Sequence, residues 1–261
     1  MRGRPACDRA PDGTPNREEG GEVQTRRERL RAATVREISE TARRILVEEG
    51  PEAVTLRAIA REMGMTAPAL YRYFGSHGEL LRHLVGDLFT ELTDELYAAA
   101  GTVAPGDLSG RFLVVARRFR RWALANPREY GLLFGSPVRG RHEHEDIDFA
   151  EEAARRFGGT FMALFLELWN RQPFPVVPDD EIDPALRSQL ARYRAEVGVD
   201  LPLGVIQTYL KCWVRLQGGV SLDVFGHLEF ALTDAEPLFE LMLSELAPEI
   251  GLTYTPPRRD A

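Results

Sequence analysis

Cysteine is nearly absent from this chain: of 261 residues only Cys7 and Cys212 are of that type. One lies in a charged, proline-containing N-terminal stretch and the other in an apolar segment. Neither a disulfide framework nor a cysteine metal site is expected, and the pair reads as a tail thiol and a core filler. Also missing is any run of about 18 apolar residues, so no membrane-spanning helix is expected. Charges and prolines stand where a secretory leader would need an apolar segment, which points to a cytoplasmic location. No segment alternates apolar and polar residues in the manner of a strand. There is no Gly-x-Ser-x-Gly elbow, phosphate loop or His-Glu-x-x-His pair, so no enzyme, cofactor or metal is expected. Net positive charge is lacking too: the total is −7.

What is present is a chain with 44% hydrophobic residues, enough for a substantial core. Its charge is unevenly spread. Residues 1–83 hold 15 Arg against 13 acidic residues, so the acidic excess lies entirely downstream. Four arginines, Arg26, Arg27, Arg29 and Arg31, crowd the stretch just before the first periodic helix, where a basic arm would meet a phosphate backbone.

Residues 1–24 are almost devoid of apolar side chains and are expected to form a disordered tail. From about Arg27 to Glu49, Val35, Ile38, Ala42, Ile45 and Leu46 recur at helical spacing, and Gly50-Pro51 stops the helix. Thr55 caps a short second helix that ends at Gly64. Thr66 caps a third, with Pro68 in its first turn, running to Phe74. Ser76 and Glu79 form a capping box that opens a long helix with Leu80, Leu84, Leu88, Leu92 and Leu96 on one stripe. Helices are predicted over 108–125, 127–134, 149–171, about 185–197, from 203 to about 225, and 235–247. A proline-rich loop spans 172–184. The helix after Pro202 is apolar nearly all round, as one buried by two sets of neighbours must be. The segment "RHEHEDID", 141–148, offers His142 and His144 beside carboxylates, but its spacing fits no defined metal site and it reads as a solvated loop.

Two short helices joined by Gly64, with small Ala60 at their approach and Ile59, Met63, Met65, Leu70 and Tyr73 interlocking, make a helix-turn-helix. At about 100° per residue, Leu70, Phe74 and the edge of Tyr73 anchor the third helix, while Ala67, Pro68, Ala69, Tyr71 and Arg72 face outward. The stretch "EEGPEAVTLRAIAREMGMTAPALYRYFGSHGELL", Glu48 to Leu81, resembles the DNA-binding domain of the TetR family of bacterial one-component regulators. That resemblance implies an all-α protein with a three-helix DNA-binding head at 25–83 and a helical effector-binding and dimerisation domain at 84–261. It further implies that Ala67, Pro68 and Ala69 approach base edges, that Thr55 and Tyr73 bind phosphates, and that Arg57 and Tyr71 reach bases or phosphates. Thr66 and Arg72 complete the expected DNA surface. Where the family usually has lysine at the start of the fourth helix, this chain has His77, which makes a phosphate contact conditional on pH.

The segment "CWVRLQGGVSLDVFGHLEF", 212–230, is similar to the family branch whose body carries a Trp-His-Gly signature, with Gln217 in place of the histidine. Glycines at 218 and 219 in mid-helix imply close helix approach, of which a dimer seam is one form. The expected seam comprises Leu216, Gly218, Gly219, Leu238, Leu241 and Met242. Trp122, Phe161, Phe165, Trp169, Tyr209 and Trp213 are candidates to line a pocket for an apolar or aromatic effector. The partners expected are double-stranded operator DNA, a second copy of the chain and that small molecule, with no membrane. The function expected is a repressor released from a palindromic operator. The alternatives are a helical protein-interaction module without DNA binding, or a regulator that answers no ligand.

Overall fold

The computed structural model describes residues 25–135 and 149–257; the expectations for the 1–24 tail, Cys7 and the 141–148 segment fall outside the described residues. Ten α-helices occur among the described residues: α1 Arg26–Glu49, α2 Leu56–Glu62, α3 Ala67–Leu70, α4 His77–Gly101, α5 Leu108–Ala125, α6 Pro127–Phe134, α7 Phe149–Arg171, α8 Pro184–Val197, α9 Leu203–Val224 and α10 Glu236–Glu249. The fold is a helical head followed by a larger helical body, and none of the described helices is long and apolar enough to cross a membrane.

The chain divides into two compact units, one ending at Glu37 and one beginning at Ile38. In the first, Thr25 and Glu28 cap α1 reciprocally: the Thr25 amide donates to Glu28 Oε2 (2.7 Å) and the Glu28 amide to Thr25 Oγ1 (3.3 Å). The helix therefore begins at Arg26, one residue before the expected start. The four clustered arginines lie within its first turns rather than on an arm ahead of it.

In the second unit, Ile38, Ala42, Ile45 and Leu46 of α1 are buried as the period requires. The α4 leucines Leu80, Leu84, Leu88, Leu92 and Leu96 are each at most 1% exposed, which makes α4 the spine of this unit. It runs without a break through positions 83 and 84, where the sequence pattern separates head from body. Gly86 lets the Phe149 ring at the start of α7 seat on it, because any Cβ there would overlap that ring. Polar contacts tie α1 to the body as well. Arg43 pairs with Glu91 of α4 (2.5 Å) and Glu129 of α6 (3.2 Å), and Arg128 of α6 donates to the Leu46 and Val47 carbonyls (3.3 and 2.7 Å). Arg43 loses solvation there, yet its carboxylate partners hold its pKa above the ordinary arginine value.

The 172–183 loop is pinned. Phe174 and Ile182 are buried, Asp179 Oδ1 accepts from the Leu203 and Gly204 amides at the start of α9 (3.0 and 3.4 Å), and the Val177 carbonyl sits against Gly204 where a Cβ would collide. The helix α9 departs from the expectation of burial on all sides. Its inner face (Ile206, Tyr209, Leu216, Val220) is buried, but Val214, Leu222 and, just past its end, Phe225 are 67%, 45% and 42% exposed. Among the described residues, only one face of α9 finds neighbours from within the chain.

Candidate nucleic-acid interface and body cavity

The turn between α2 and α3 is built by Gly64, whose φ of +64° is a conformation that other residues adopt only with strain. It lets the Met65 amide reach back to the Ala60 carbonyl (2.8 Å), closing α2 while Ala60 stays buried where the helices cross. Leu70 and Phe74 lie beneath the third helix at 0% and 4% exposure, and Tyr71 above them is 51% exposed. Pro68 and Arg72 are exposed as well, while Ala67, Ala69 and Tyr73 are half-buried. Of the outward set read from the helical period, Pro68, Tyr71 and Arg72 are exposed, whereas Ala67 and Ala69 are half-covered by the head. Two local expectations are corrected. The α-helix proper ends at Leu70 rather than Phe74, because the chain tightens into three-residue turns, with Arg72 and Tyr73 amides donating to the Ala69 and Leu70 carbonyls (3.3 and 2.9 Å). Thr66 has the extended backbone of a cap, but its hydroxyl makes no cap bond; its carbonyl takes the Ala69 and Leu70 amides instead.

Around this helix, Thr55 Oγ1 accepts from the Ala58 amide (3.1 Å), which leaves its hydroxyl proton available to an acceptor outside the protein. Arg57, two residues further on, is exposed. At the start of α4, Ser76 Oγ accepts from the Glu79 amide (3.1 Å), but the Glu79 carboxylate reaches past Ser76 to the Gly75 amide (2.7 Å), so the capping box closes one residue earlier than expected. His77 Nε2 lies 2.5 Å from the Val54 carbonyl. A carbonyl only accepts, so Nε2 carries a proton there. Nδ1 is then an acceptor in the neutral ring and a donor only in the charged one.

In the body, a cavity of about 70 Å³ lies among α5, α7, α9 and α10. It collects Phe161, Phe165, Tyr209 and Trp213, four of the six aromatics expected to line a pocket. The other two are elsewhere. Trp122 points toward α4, donating Nε1–H to Glu91 (3.3 Å), and Trp169, about 80° around α7 from Phe161, packs on Phe174 with ring centres 5.4 Å apart. Leu216, expected at a dimer seam, also lines the cavity, because it lies one heptad from Tyr209 on the inner face of α9. Cys212 is a lining residue that the expectation of a core filler does not anticipate; burial pushes its thiol up to about 11, so it remains protonated and behaves as a small apolar group. Burial likewise raises Tyr209, whose hydroxyl bonds with Tyr193 of α8. Gln217, standing where the Trp-His-Gly branch has histidine, donates to Ser221 Oγ (3.0 Å), which also bonds the buried Tyr130 hydroxyl (2.7 Å).

The remaining seam candidates do face outward. Leu238 and Leu241 are 46% and 53% exposed, a Cβ on Gly218 would meet nothing within 4 Å, and one on Gly219 would meet only Met242 Sδ at 3.6 Å. The close approach expected at the two glycines is absent within the described chain.

The profile of bacterial regulatory proteins of the tetR family matches residues 38–84, and the tetracyclin repressor-like C-terminal domain matches residues 112–246. The HTH-type transcriptional regulators Rv1816 of Mycobacterium tuberculosis and Mb1846 of Mycobacterium bovis are each 33% identical over 221 residues, covering 84% of this chain and 92% of theirs. The crystal structure of SCO4313, described as a regulatory protein, superposes with a TM-score of 0.66 at 32% identity, covering 86% of this chain and 100% of that one. A TetR/AcrR regulator from Thermobifida fusca shares the fold, with a TM-score of 0.51 at 20% identity over 82% of this chain and 96% of its own. A helix-turn-helix head with an outward third helix, an all-helical body and these relatives agree: the chain belongs to the TetR family of bacterial DNA-binding transcriptional regulators.

Proposed function

We propose that this regulator is a cytoplasmic homodimer that represses transcription from a palindromic operator and leaves it when a small molecule occupies the body cavity. The observation that carries the reading is the third helix, whose anchors Leu70 and Phe74 are buried while Tyr71, Arg72 and Pro68 face out. A short helix held in this way presents side chains to a major groove. Ala67, Pro68 and Ala69 approach base edges, Arg57 and Tyr71 reach bases or phosphates, and Thr55, Thr66, Arg72 and Tyr73 fix the head on the backbone. The outer faces of α9 and α10, with Gly218, Gly219, Leu238, Leu241 and Met242, join the two copies, so protein symmetry sets the spacing of the half-sites. An effector acts by binding better to a dimer whose heads misfit successive grooves.

Operator selection from genomic DNA, followed by salt titration, tests this. Replacing Arg26, Arg27, Arg29 and Arg31 by alanine is expected to weaken binding to all sequences and to flatten the logarithmic salt slope by about one for each phosphate no longer neutralised. By contrast, Tyr71→Ala or Arg57→Ala is expected to change the preference among operator variants by about 1–3 kcal/mol for each base that the variant no longer reads. A protein that binds no DNA in the titration is an interaction module. One whose operator affinity no metabolite alters is a ligand-independent regulator.

His77 gives a separate expectation. Its Nε2 is held by the Val54 carbonyl, and His77→Lys, which restores the residue that the family usually places there, is expected to tighten operator binding and to steepen the logarithmic salt slope by about one for each head. Unchanged binding and salt slope would show that His77 serves only its bond to Val54.

A further inference from the structure

We propose that the body cavity receives a small, uncharged, apolar molecule, and that the C-terminal strap at residues 250–257 is the wall this molecule displaces. The proposal rests on the reading of the cavity as the effector site.

The ligand class follows from the lining. Phe112, Leu113, Ala116, Leu164, Leu243 and Leu246 are typical of it, and no charged side chain contributes among the described residues. The polar exceptions are few and uncharged: the Tyr209 hydroxyl bonds with Tyr193 and lies 3.5 Å from the Gly158 carbonyl, the Cys212 thiol is a poor donor, and the Trp213 indole carries a single N–H. A carboxylate or ammonium brought here would lose its hydration with no charged partner in return.

The route follows from size and from the construction of the walls. At about 70 Å³ the cavity is smaller than the roughly 150 Å³ that accommodates benzene, so a molecule of that size must move a wall. Three walls are helices of 18, 23 and 22 residues, α5, α7 and α9. The fourth is finished by the chain beyond α10, which contributes Ile250 and Leu252. Gly251, at φ +73°, turns the chain there; its amide returns to the Pro248 carbonyl (3.1 Å) and the Leu252 amide to that of Ala247 (2.8 Å), which drops Leu252 into the cavity. From Leu252 to Pro257 the strap has no regular secondary structure. It is held by a clasp of polar contacts. Arg117 of α5 grips Glu240 of α10 with two bonds (2.9 and 2.7 Å) and also donates to the Thr255 carbonyl (2.7 Å). The Tyr254 hydroxyl donates to Glu240 (2.9 Å), the Thr253 amide to Ser109 Oγ (3.0 Å), and Gln172 Nε2 to the Gly251 carbonyl (3.0 Å). Lifting this segment withdraws two apolar side chains and breaks bonds at the surface, whereas moving α9 would pull Tyr209, Trp213 and Leu216 out of the interior together. The strap is the wall that opens first.

The test uses the full-length protein, with toluene and benzoate as probes in titration calorimetry and operator affinity measured on the same preparations without probe. Toluene is expected to bind saturably, once per chain, and benzoate at least about 100-fold more weakly. Filling the cavity with Ala116→Leu, or with Cys212→Met if the first variant is overpacked and unfolded, is expected to weaken toluene at least about tenfold. Loosening the clasp with Glu240→Gln and Tyr254→Phe together, or Tyr254→Phe alone should the pair fail to fold, is expected to tighten toluene by about tenfold. Absence of toluene binding, equal binding of benzoate, or indifference to cavity filling overturns the ligand class and site. Unchanged toluene affinity in a folded clasp variant overturns the strap as the moving wall. Loss of operator binding by the wild type overturns the regulator reading instead, whatever toluene does.

Discussion

Phe119→Ala is expected to lower the unfolding free energy by about 3–5 kcal/mol, the usual loss for a fully buried phenylalanine. Phe119 of α5 is 0% exposed, and its ring centre lies within 6.1 Å of those of Tyr130, Phe134, Phe157, Phe161 and Trp213, side chains from α6, α7 and α9. Alanine would leave a void bounded by aromatic rings on three helices, which cannot all close in together, so the cavity term adds to the lost transfer energy. Leu124→Ala on the same helix supplies the control: Leu124 is 38% exposed and its truncation is expected to cost far less. Urea unfolding of both variants measures the difference. A loss below about 1 kcal/mol at Phe119 would mean that the body core does not depend on this ring cluster.

Leu241→Arg is expected to abolish dimerisation at micromolar concentration and to weaken operator binding by about 100-fold or more, because two tethered heads bind half-sites far more tightly than separate ones. Leu241, Leu238, Val214 and Leu222 are apolar and about half exposed or more, and beside them Gly218 has open space where a side chain would stand. An arginine here would carry a charge into the apolar surface that the seam buries. Sedimentation velocity and operator titration on the same samples read both effects. A wild type that sediments as a monomer and still binds the operator tightly would sink the seam, as would a variant that remains dimeric.

The same particulars divide what is legible in the chain from what is not. Local interactions decide helix ends. Gly50, Thr55, Gly64 and Ser76 act within a few residues of themselves, so the order and approximate limits of the helices can be read without knowing what they pack on. The outward set on the third helix is legible for the same reason, since the phase of a single helix separates Tyr71 from Leu70. The α1 cap is equally local, yet it escapes a reading by apolar period because Thr25 and Glu28 precede that period.

By itself, then, the sequence determined an all-helical chain, the helix-turn-helix with its exposed face, and the family to which the protein belongs. Only the tertiary structure decided which aromatics meet. Trp122 and Phe161 are equally aromatic and equally periodic, but the first faces Glu91 and the second a cavity, because that choice depends on which neighbour each helix turns toward. Leu216 went to the cavity and Leu241 to the surface on the same ground. The C-terminal strap lay furthest from reach, since Arg117, Glu240 and Tyr254 come together only after α5 and α10 have packed. A pairing between residues more than a hundred positions apart leaves no local pattern in a single sequence.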